Sequence, residues 1–363
     1  MTDNCSRLRV IDFGFVPAID SQAVYHGIAE AMRDGDTPVL TLVNPSDPYV
    51  CVGLHQDIDK EVDRDFCTRE GVAIVRRHVG GGAVYLDSGQ MFFHFIYPST
   101  IAPKFVTRIY EQFIAPVVAT YRALGVEATF RPVNDIHVNG RKIGGTGAAT
   151  IGDATLMVGS FLFDFPIDKM AQTLKVPSEK FRDKLHQGLK DYMTTLTREL
   201  GTPPDREVVK ASFLEQVAAH LHVAIEESSP TAAEAQAIRD AEAWLSSSEW
   251  TDRPGKKAVA NGVKIAAGTH LTEGVHKAPG GLIRVELLTR DDRIAALGLS
   301  GDFTVFPPDG MQRLAEALLD QPLEKTGLEA VAGKVLEALE IDVPGVTAAD
   351  VTQAILSAMP KDY

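Results

Sequence analysis

The sequence has little cysteine and no long apolar run. Only Cys5, Cys51 and Cys67 occur among its 363 residues, and so small and odd a number is typical of a reduced protein rather than a disulfide-bonded scaffold. The amino-terminal segment MTDNCSRLRV has no apolar core of signal-peptide length. No stretch approaches the roughly 18 apolar residues of a membrane span. The sequence therefore predicts a cytoplasmic protein that does not enter a membrane.

Positive charge is also scarce. The chain has 36 Lys and Arg against 49 Asp and Glu, which gives a formal net charge of −13. Because sequence-independent binding of nucleic acid needs clustered basic side chains, this balance argues against a nucleic-acid partner. The excess is uneven, since residues 223–363 carry 22 acidic and 13 basic side chains. Residues 1–222, with 27 acidic and 23 basic, are close to neutral.

The remaining composition is that of an ordinary globular protein, 45% hydrophobic and 23% charged. A chain of this length is expected to form one domain or, more often, two. The polar stretch EESSPTAAEAQ, which contains Ser and Pro, is typical of a linker. We therefore predict a first domain over residues 1–225, a linker over 226–240 and a second domain over 241–363.

In the first domain, short apolar strands alternate with helices. Asn139–Gly140 joins two of these strands and is a strong signal for a tight hairpin. One long amphipathic helix is predicted from apolar residues at helical spacing, namely Phe105, Ile109, Phe113, Val117 and Tyr121. The pattern favours an α+β fold built mainly on antiparallel strand pairs.

The second domain is predicted to begin with strands and to end with helices. The first strand segment covers residues 259–271, and two more follow before residue 302. Three helices are then predicted at 309–320, 327–339 and 347–358.

Three consecutive glycines, Gly80 to Gly82, follow the pair Arg76–Arg77 closely. Glycines let backbone N–H groups approach an anion, and guanidinium groups suit phosphate and carboxylate. A phosphate-binding loop or a dinucleotide fingerprint would need a helix directly after the glycines, whereas a strand, AVYLD, follows here. A glycine-rich loop made only for close packing is the alternative.

A second polar cluster, NDIHVNGRKIGGTG, spans residues 134–147. Small neighbours would let the ammonium of Lys142 lie close to a substrate. Asp135 could hold a metal ion or a polar group of a nucleoside. The alternative is a solvated lysine on a hairpin.

Taken together, the motifs VGLHQDIDKEVD, RRHVGGGAVYLDSGQMFFHF and NDIHVNGRKIGGTGA resemble, in order and spacing, those of the lipoate–protein ligase family, in the biotin/lipoate protein ligase superfamily. The resemblance covers roughly residues 8–165, and a weaker one to the family's accessory domain covers about 250–320. It implies a catalytic domain with largely antiparallel mixed sheets flanked by helices, fused to a smaller α+β accessory domain.

The resemblance implies ATP-dependent activation of lipoate to lipoyl-AMP, with Mg²⁺, followed by transfer to a specific lysine of an acceptor protein. It places Lys142 as the catalytic lysine and Asp135 as a possible magnesium ligand. The implied substrate- and adenylate-binding residues are Arg76, Val79, Gly80, Gly81, Gly82, Ala83, Tyr85, Asn134, Asp135, Gly145, Thr146 and Gly147.

This chain departs from the family pattern near the acyl pocket. Leu86 stands where the family usually has His, and Val79 where it commonly has Ser. His78 and His94 could serve as acid–base groups, but packing without a chemical role is favoured for both.

The acceptors that the resemblance implies are lipoyl domains, glycine-cleavage H-like proteins and lipoate-binding proteins of sulfur oxidation. Such proteins are often acidic, so docking is predicted on the less acidic first domain, more weakly as salt rises. An octanoyl or lipoyl transferase of the same fold is one alternative function. It needs a cysteine after the glycines, and none follows Cys67. A non-catalytic binder of lipoate or lipoyl-adenylate is the other alternative.

Overall fold

A computed structural model describes residues 6–252, 263–266, 269–290 and 292–359. The chain divides into two compact units, and two short segments from early in the sequence belong to the second. The first unit comprises Met1–Val52, Asp59–His78 and Ala83–Thr251, and the second comprises Gly53–Ile58, Val79–Gly82 and Asp252–Tyr363. No helix among the described residues is long and apolar enough to cross a membrane.

The chain up to Thr251 contains strands and helices in alternation. Its strands are β1 (Arg7–Val16), β2 (Val39–Pro45), β3 (Tyr49–Val52), β4 (Ala73–Arg76), β5 (Val84–Leu86), β6 (Gln90–Pro98), β7 (Thr129–Arg131), β8 (Asp135–Val138), β9 (Arg141–Ile151), β10 (Ala154–Leu162) and β11 (Ala224–Glu227). Its helices are α1 (Asp20–Ala31), α2 (Ile58–Glu61), α3 (Arg64–Glu70), α4 (Val106–Ala123), α5 (Ile167–Thr173), α6 (Glu179–Tyr192), α7 (Leu196–Leu200), α8 (Arg206–Leu221), α9 (Ala232–Leu245) and α10 (Ser248–Thr251).

The first unit is built on an eight-stranded sheet in the order β11-β1-β2-β6-β10-β9-β8-β7. Strand β1 pairs in parallel with β2 and β11, and the other neighbours in this sheet are antiparallel. A smaller sheet has the order β4-β3-β5. The predicted α+β class with largely antiparallel sheets is confirmed.

Strand β6 lies in the middle of the large sheet, and every residue of QMFFHFIYP is buried. Alternate side chains of a strand point to opposite faces. On one face Phe95 stacks on Phe113 of α4, with ring centroids 4.9 Å apart, and Phe93 lies 5.2 Å from Phe213 of α8. Phe92 packs instead with Val24 of α1. Burial on both faces explains why this strand is apolar almost throughout.

The predicted hairpin at Asn139–Gly140 is confirmed. Both residues adopt positive φ, 51° and 80°, as a two-residue type I′ turn requires. Strands β8 and β9 pair across it, with Val138 opposite Arg141. The hairpin therefore places the NDIHV and RKIGGTG segments side by side.

The predicted linker over 226–240 is largely helical in the structure. Thr231 and Glu234 form a reciprocal capping box that begins α9. Helix α9 packs on α1 so closely that a Cβ on Gly27 would lie 2.4 Å from Ile238 Cα. The Arg9 guanidinium also pairs with the Glu234 carboxylate at 2.7 Å. Residues 232–245 thus belong to the first unit, and the division falls after Thr251, later than the sequence analysis places it.

In its described part, the second unit contains an antiparallel sheet in the order β12-β13-β14-β15, followed by three helices. The elements are β12 (Val263–Ala266), β13 (Thr269–Ala278), β14 (Gly281–Arg290), β15 (Arg293–Gly301), α11 (Gly310–Ala317), α12 (Lys325–Ala338) and α13 (Ala348–Ser357). Their core includes Ile283, Val285, Leu314, Leu328 and Ile355. The three predicted helices are confirmed. Parts of the first predicted strand, residues 259–262 and 267–268, lie outside the described residues, as does Cys5.

Candidate active site

The β8–β9 hairpin brings the predicted catalytic lysine next to a carboxylate. Lys142 Nζ lies 2.7 Å from Asp135 Oδ1, and the two side chains are 27% and 22% exposed. Gly145, opposite Asp135 in the register, leaves room for the ammonium, because a Cβ there would lie 2.8 Å from Nζ. The pair is partly shielded from water yet remains open to a ligand.

Asn134 and Thr146 fix the start of this hairpin by three hydrogen bonds. The Asn134 amide donates to the Thr146 carbonyl at 2.5 Å. In return, the Thr146 backbone N–H and hydroxyl both donate to the Asn134 carbonyl, at 3.0 and 2.9 Å. Gly147 follows in β9, opposite Val158. Asn134, Asp135, Lys142, Gly145, Thr146 and Gly147 are therefore brought together, as the motif predicts.

One side chain of this site, Tyr192 at the end of α6, lies outside the predicted motifs. Its hydroxyl donates to Asp135 Oδ2 at 3.1 Å and lies 3.4 Å from His137 Nε2. Burial, and then the nearby Asp135 carboxylate, raise the pKa of Tyr192. The apolar spacing of Phe181, Leu185, Leu189 and Tyr192 could have revealed the helix, but no local pattern reveals the contact.

The backbone of Lys142 is held by the segment that follows α6. The Thr194 N–H donates to the Lys142 carbonyl at 2.9 Å. Next to it, Arg141 pairs with Glu199 at 3.2 Å, and Glu199 also accepts a hydrogen bond from the Thr194 hydroxyl. The chain that follows α6 thus fixes β9 at the lysine.

A magnesium ion held by the protein alone does not fit these residues. No group of three or more His, Cys, Asp or Glu side chains in the described part of the chain could hold a metal ion. Asp135 already has one oxygen on Lys142 and the other on Tyr192. Mg²⁺ needs near-octahedral oxygen coordination, and Asp135 by itself does not supply it.

Arg76, predicted to contact the substrate, is packed inside the first unit. It is 2% exposed, and its Nε donates to the Thr251 carbonyl at 3.2 Å. The Arg76 carbonyl accepts a hydrogen bond from the Trp250 indole at 2.9 Å. Its side chain is thus enclosed by the segment around α10.

The glycine segment, Val79 to Gly82, groups with the second unit, whereas Lys142 belongs to the first. The Gly81 N–H donates to the Phe303 carbonyl at 3.4 Å. A Cβ on Gly80 would lie 2.6 Å from that same oxygen. Close packing against Phe303 therefore accounts for the glycine at position 80.

The residues after the glycines return to the first unit. Ala83 leads into β5, where Tyr85 is 5% exposed. The Tyr85 N–H points to the sulfur of Met170 at 3.2 Å, and its carbonyl accepts from the Gln90 amide at 3.2 Å. These contacts attach β5 to α5 and β6.

Both histidines considered as acid–base groups are packed. His94 is buried and its Nδ1 lies 2.7 Å from the Thr41 hydroxyl; burial lowers its pKa to about 3. His78 stacks on Trp250 with an interplanar angle of 7°. Its ring also lies 5.2 Å from the ring of His26. This arrangement agrees with the packing interpretation.

His26 makes the stability of the first unit depend on pH. It is 4% exposed, neither ring nitrogen has a hydrogen-bond partner among the described residues, and burial followed by His78 lowers its pKa to about 3. Below pH ~6.5 the unfolded chain takes up a proton at this histidine while the native ring stays neutral. The free energy of unfolding therefore decreases as pH falls from ~6.5 towards ~3. Between about pH 7.5 and about pH 5, the parent should lose about 2 kcal/mol more unfolding free energy than His26→Phe.

Urea denaturation at the two pH values measures this difference. His220→Phe, a change at an exposed histidine on α8, is the control and should retain the parent's dependence. Equal losses in His26→Phe and the parent would show that His26 does not titrate between the two states.

The two described cysteines are poor nucleophiles. Cys51 and Cys67 are both buried, and burial raises the pKa of each thiol. An acyl-cysteine intermediate needs an accessible thiolate, which neither residue offers.

Comparison with known proteins relates this chain to one enzyme family. The family model "Lipoyl protein ligase A/B catalytic domain" matches residues 18–218. Lipoate-protein ligase A subunit 1 of Thermoplasma acidophilum is 28% identical over 61% of this chain and 86% of that protein. Octanoyltransferase LipM of Geobacillus kaustophilus is 24% identical over 67% of this chain and 96% of that protein.

Three solved structures of lipoate ligases and a related protein are also similar to this chain. A bipartite lipoate protein ligase of T. acidophilum, described with its E2 lipoyl domain, has a TM-score of 0.64 at 26% identity, covering 70% of this chain and 99% of that chain. Lipoate-protein ligase A bound with ATP has a TM-score of 0.58 at 24% identity, covering 68% and 98%. LipL1 of P. falciparum in complex with lipoate has a TM-score of 0.67 at 15% identity, covering 96% and 99%. The last two likenesses concern the fold alone.

Proposed function

Because the chain belongs to the family of lipoyl protein ligase A/B catalytic domains, we propose that it activates lipoate with ATP and transfers the lipoyl group to a lysine of an acceptor protein. The observation that carries the proposal is the Lys142–Asp135 pair at 2.7 Å on the β8–β9 hairpin. It supplies a cation, only partly exposed, next to small residues that leave space for a substrate.

In the first step, a lipoate carboxylate oxygen attacks the α-phosphorus of ATP. A new O–P bond forms, the bond to the leaving phosphate oxygen breaks, and pyrophosphate departs. Negative charge grows on the α-phosphate oxygens in the transition state, where a preorganised ammonium stabilises it most. Lys142 serves this role when its ammonium turns from Asp135 to the phosphate.

In the second step, the amine of the acceptor lysine attacks the acyl carbon of lipoyl-AMP. The new C–N bond replaces the C–O bond to AMP, which leaves, and the amine loses its proton. Lys142 stabilises the negative charge that develops on the carbonyl oxygen and on the departing phosphate. One lysine thus supports both steps without a covalent enzyme intermediate.

Octanoyl or lipoyl transfer is the second candidate, because octanoyltransferase LipM is among the relatives. In our proposal that route is disfavoured by the chain's thiols. Cys51 and Cys67 are buried with raised pKa values, and no cysteine follows residue 67.

We further propose that the acceptor is a lipoyl domain. The T. acidophilum ligase of similar structure is described with an E2 lipoyl domain, and the 26% identity to that ligase supports a similar acceptor here. H-like proteins of glycine cleavage or sulfur oxidation would present the same chemical group, an exposed lysine on a small domain. The second unit, in this proposal, is the accessory domain of the ligase.

The full chain, incubated with ATP, lipoate and an apo lipoyl domain, should add one lipoyl group to the acceptor, read as a mass gain on the intact protein. The same mixture without ATP should leave the acceptor unmodified. A parallel reaction with octanoyl carrier protein and no ATP tests the transferase. Modification only in that last reaction would replace ligase by transferase, and modification in none would remove both.

A further inference from the structure

Asp135 lies between two hydrogen-bond donors from different elements. One carboxylate oxygen faces the Lys142 ammonium at 2.7 Å, on the neighbouring strand β9. The other accepts the Tyr192 hydroxyl at 3.1 Å, from the last residue of α6. His137 Nε2 lies farther from that second oxygen, at 3.7 Å. Tyr192 is therefore the closer polar side chain on this oxygen.

Helix α6 is attached through side-chain contacts at several points, and the Tyr192 contact is the one that reaches Asp135. None of its 14 residues is buried. Near its beginning, Arg182 donates to the carbonyls of Ala171 and Leu174 at 2.8 and 3.2 Å. At its end, the Tyr192 hydroxyl contacts Asp135. The position of α6 and the environment of the Lys142 partner are thus linked through one phenol.

We propose that Tyr192 is a positioning residue for Lys142, which it influences by fixing the Asp135 carboxylate. The proposal rests on the function proposed above. A carboxylate that accepts a hydrogen bond from Tyr192 shares its negative charge with the phenol and attracts the ammonium less strongly. The phenol also prevents the carboxylate from following the ammonium, so Lys142 can turn to the phosphate of the substrate.

Without the phenol, Asp135 would have Lys142 as its main donor and would hold it more tightly. Tyr192→Phe should then lower kcat/KM for ATP in lipoate adenylation about tenfold, the size expected for one hydrogen bond to a charged group. In an Asp135→Asn background the same substitution should have almost no effect, because the charge that it modulates is gone.

A second measurement does not depend on the proposed function. Lysines of the folded chain are acetylated with limiting acetic anhydride, and the rate at Lys142 is compared by mass spectrometry with that at exposed Lys190 on α6. Tyr192→Phe should slow labelling of Lys142 several-fold, since an amine held against the Asp135 carboxylate is less often free to meet the anhydride. Asp135→Asn should speed it.

Gln187→Leu is the matched control, since it removes one side-chain hydrogen bond of α6, to Asp191 at 2.8 Å, without touching Asp135. It should change neither adenylation nor labelling of Lys142. Unchanged or faster labelling in Tyr192→Phe would overturn the proposal, because a merely structural role would loosen the site and expose the lysine. An equal loss of adenylation in the Asp135→Asn background would also overturn it. If the parent adenylates nothing, the proposed function fails, while the labelling rates still decide the role of Tyr192.

Discussion

Lys142→Ala is expected to reduce lipoate-dependent adenylation by about a thousandfold, the upper range for one preorganised charge-stabilising group. The ammonium lies at the centre of the β8–β9 site, and the described contacts offer no other cation on Asp135 at comparable distance. Stability should fall by only about 1 kcal/mol, because the ion pair is partly exposed and solvent can replace it.

Lys190→Ala is the matched control for charge, since it removes an exposed lysine from nearby α6. Its adenylation rate should stay within about twofold of the parent, a change of less than ~0.5 kcal/mol. Thermal unfolding of both variants shows whether the fold is retained. Full adenylation by a folded Lys142→Ala protein would remove this lysine from its proposed role.

Gly27→Ala is expected to destabilise the first unit by about 3 kcal/mol, the upper end of the cost of overpacking. A Cβ at this position would lie 2.4 Å from both Cα and N of Ile238, backbone atoms that cannot rotate away. Helices α1 and α9 would have to separate. The ordinary gain from replacing helical glycine by alanine, up to ~1 kcal/mol, is too small to offset this.

Gly188 on α6 is the matched control, because it is also helical but a Cβ there would meet nothing within 4 Å. Gly188→Ala should raise or leave unchanged the unfolding free energy measured in urea. If both variants were equally stable, the close packing of α9 on α1 would be wrong, and a linker at 226–240 would regain support.

The local sequence was sufficient to predict those elements whose structure depends on residues close together in the chain. The Asn139–Gly140 turn needs only two residues that tolerate positive φ. Helix α4 follows from apolar spacing, apart from Phe105, which is 66% exposed before the first turn. The motif around Lys142 could also be predicted, because all of it lies on one hairpin.

Interactions between distant segments could not be predicted in the same way. The stretch after Glu227 resembles a linker in composition, although Thr231 and Glu234 carry a capping-box signal. What makes it part of the first unit is its packing on Gly27 and the pairing of Arg9 with Glu234 at 2.7 Å, 225 residues away. No periodicity within the stretch reveals either contact.

Arg76 shows the same limit at the candidate site. Its motif predicts contact with an anion, but the side chain is buried and its Nε donates to the carbonyl of Thr251, 175 positions away. Tyr192 reaches Asp135 from 57 positions away. The motifs at the site could therefore be recognised in the sequence, whereas the residues that contact them from distant sequence positions could not.

The exchange of labelled pyrophosphate into ATP tests the central claim most directly, because it needs no acceptor. With lipoate present, the parent chain should catalyse exchange, and Lys142→Ala should show about a thousandfold less. Without lipoate, exchange should be absent. Absence of lipoate-dependent exchange in a folded parent chain would contradict the proposal that this protein activates lipoate as an adenylate.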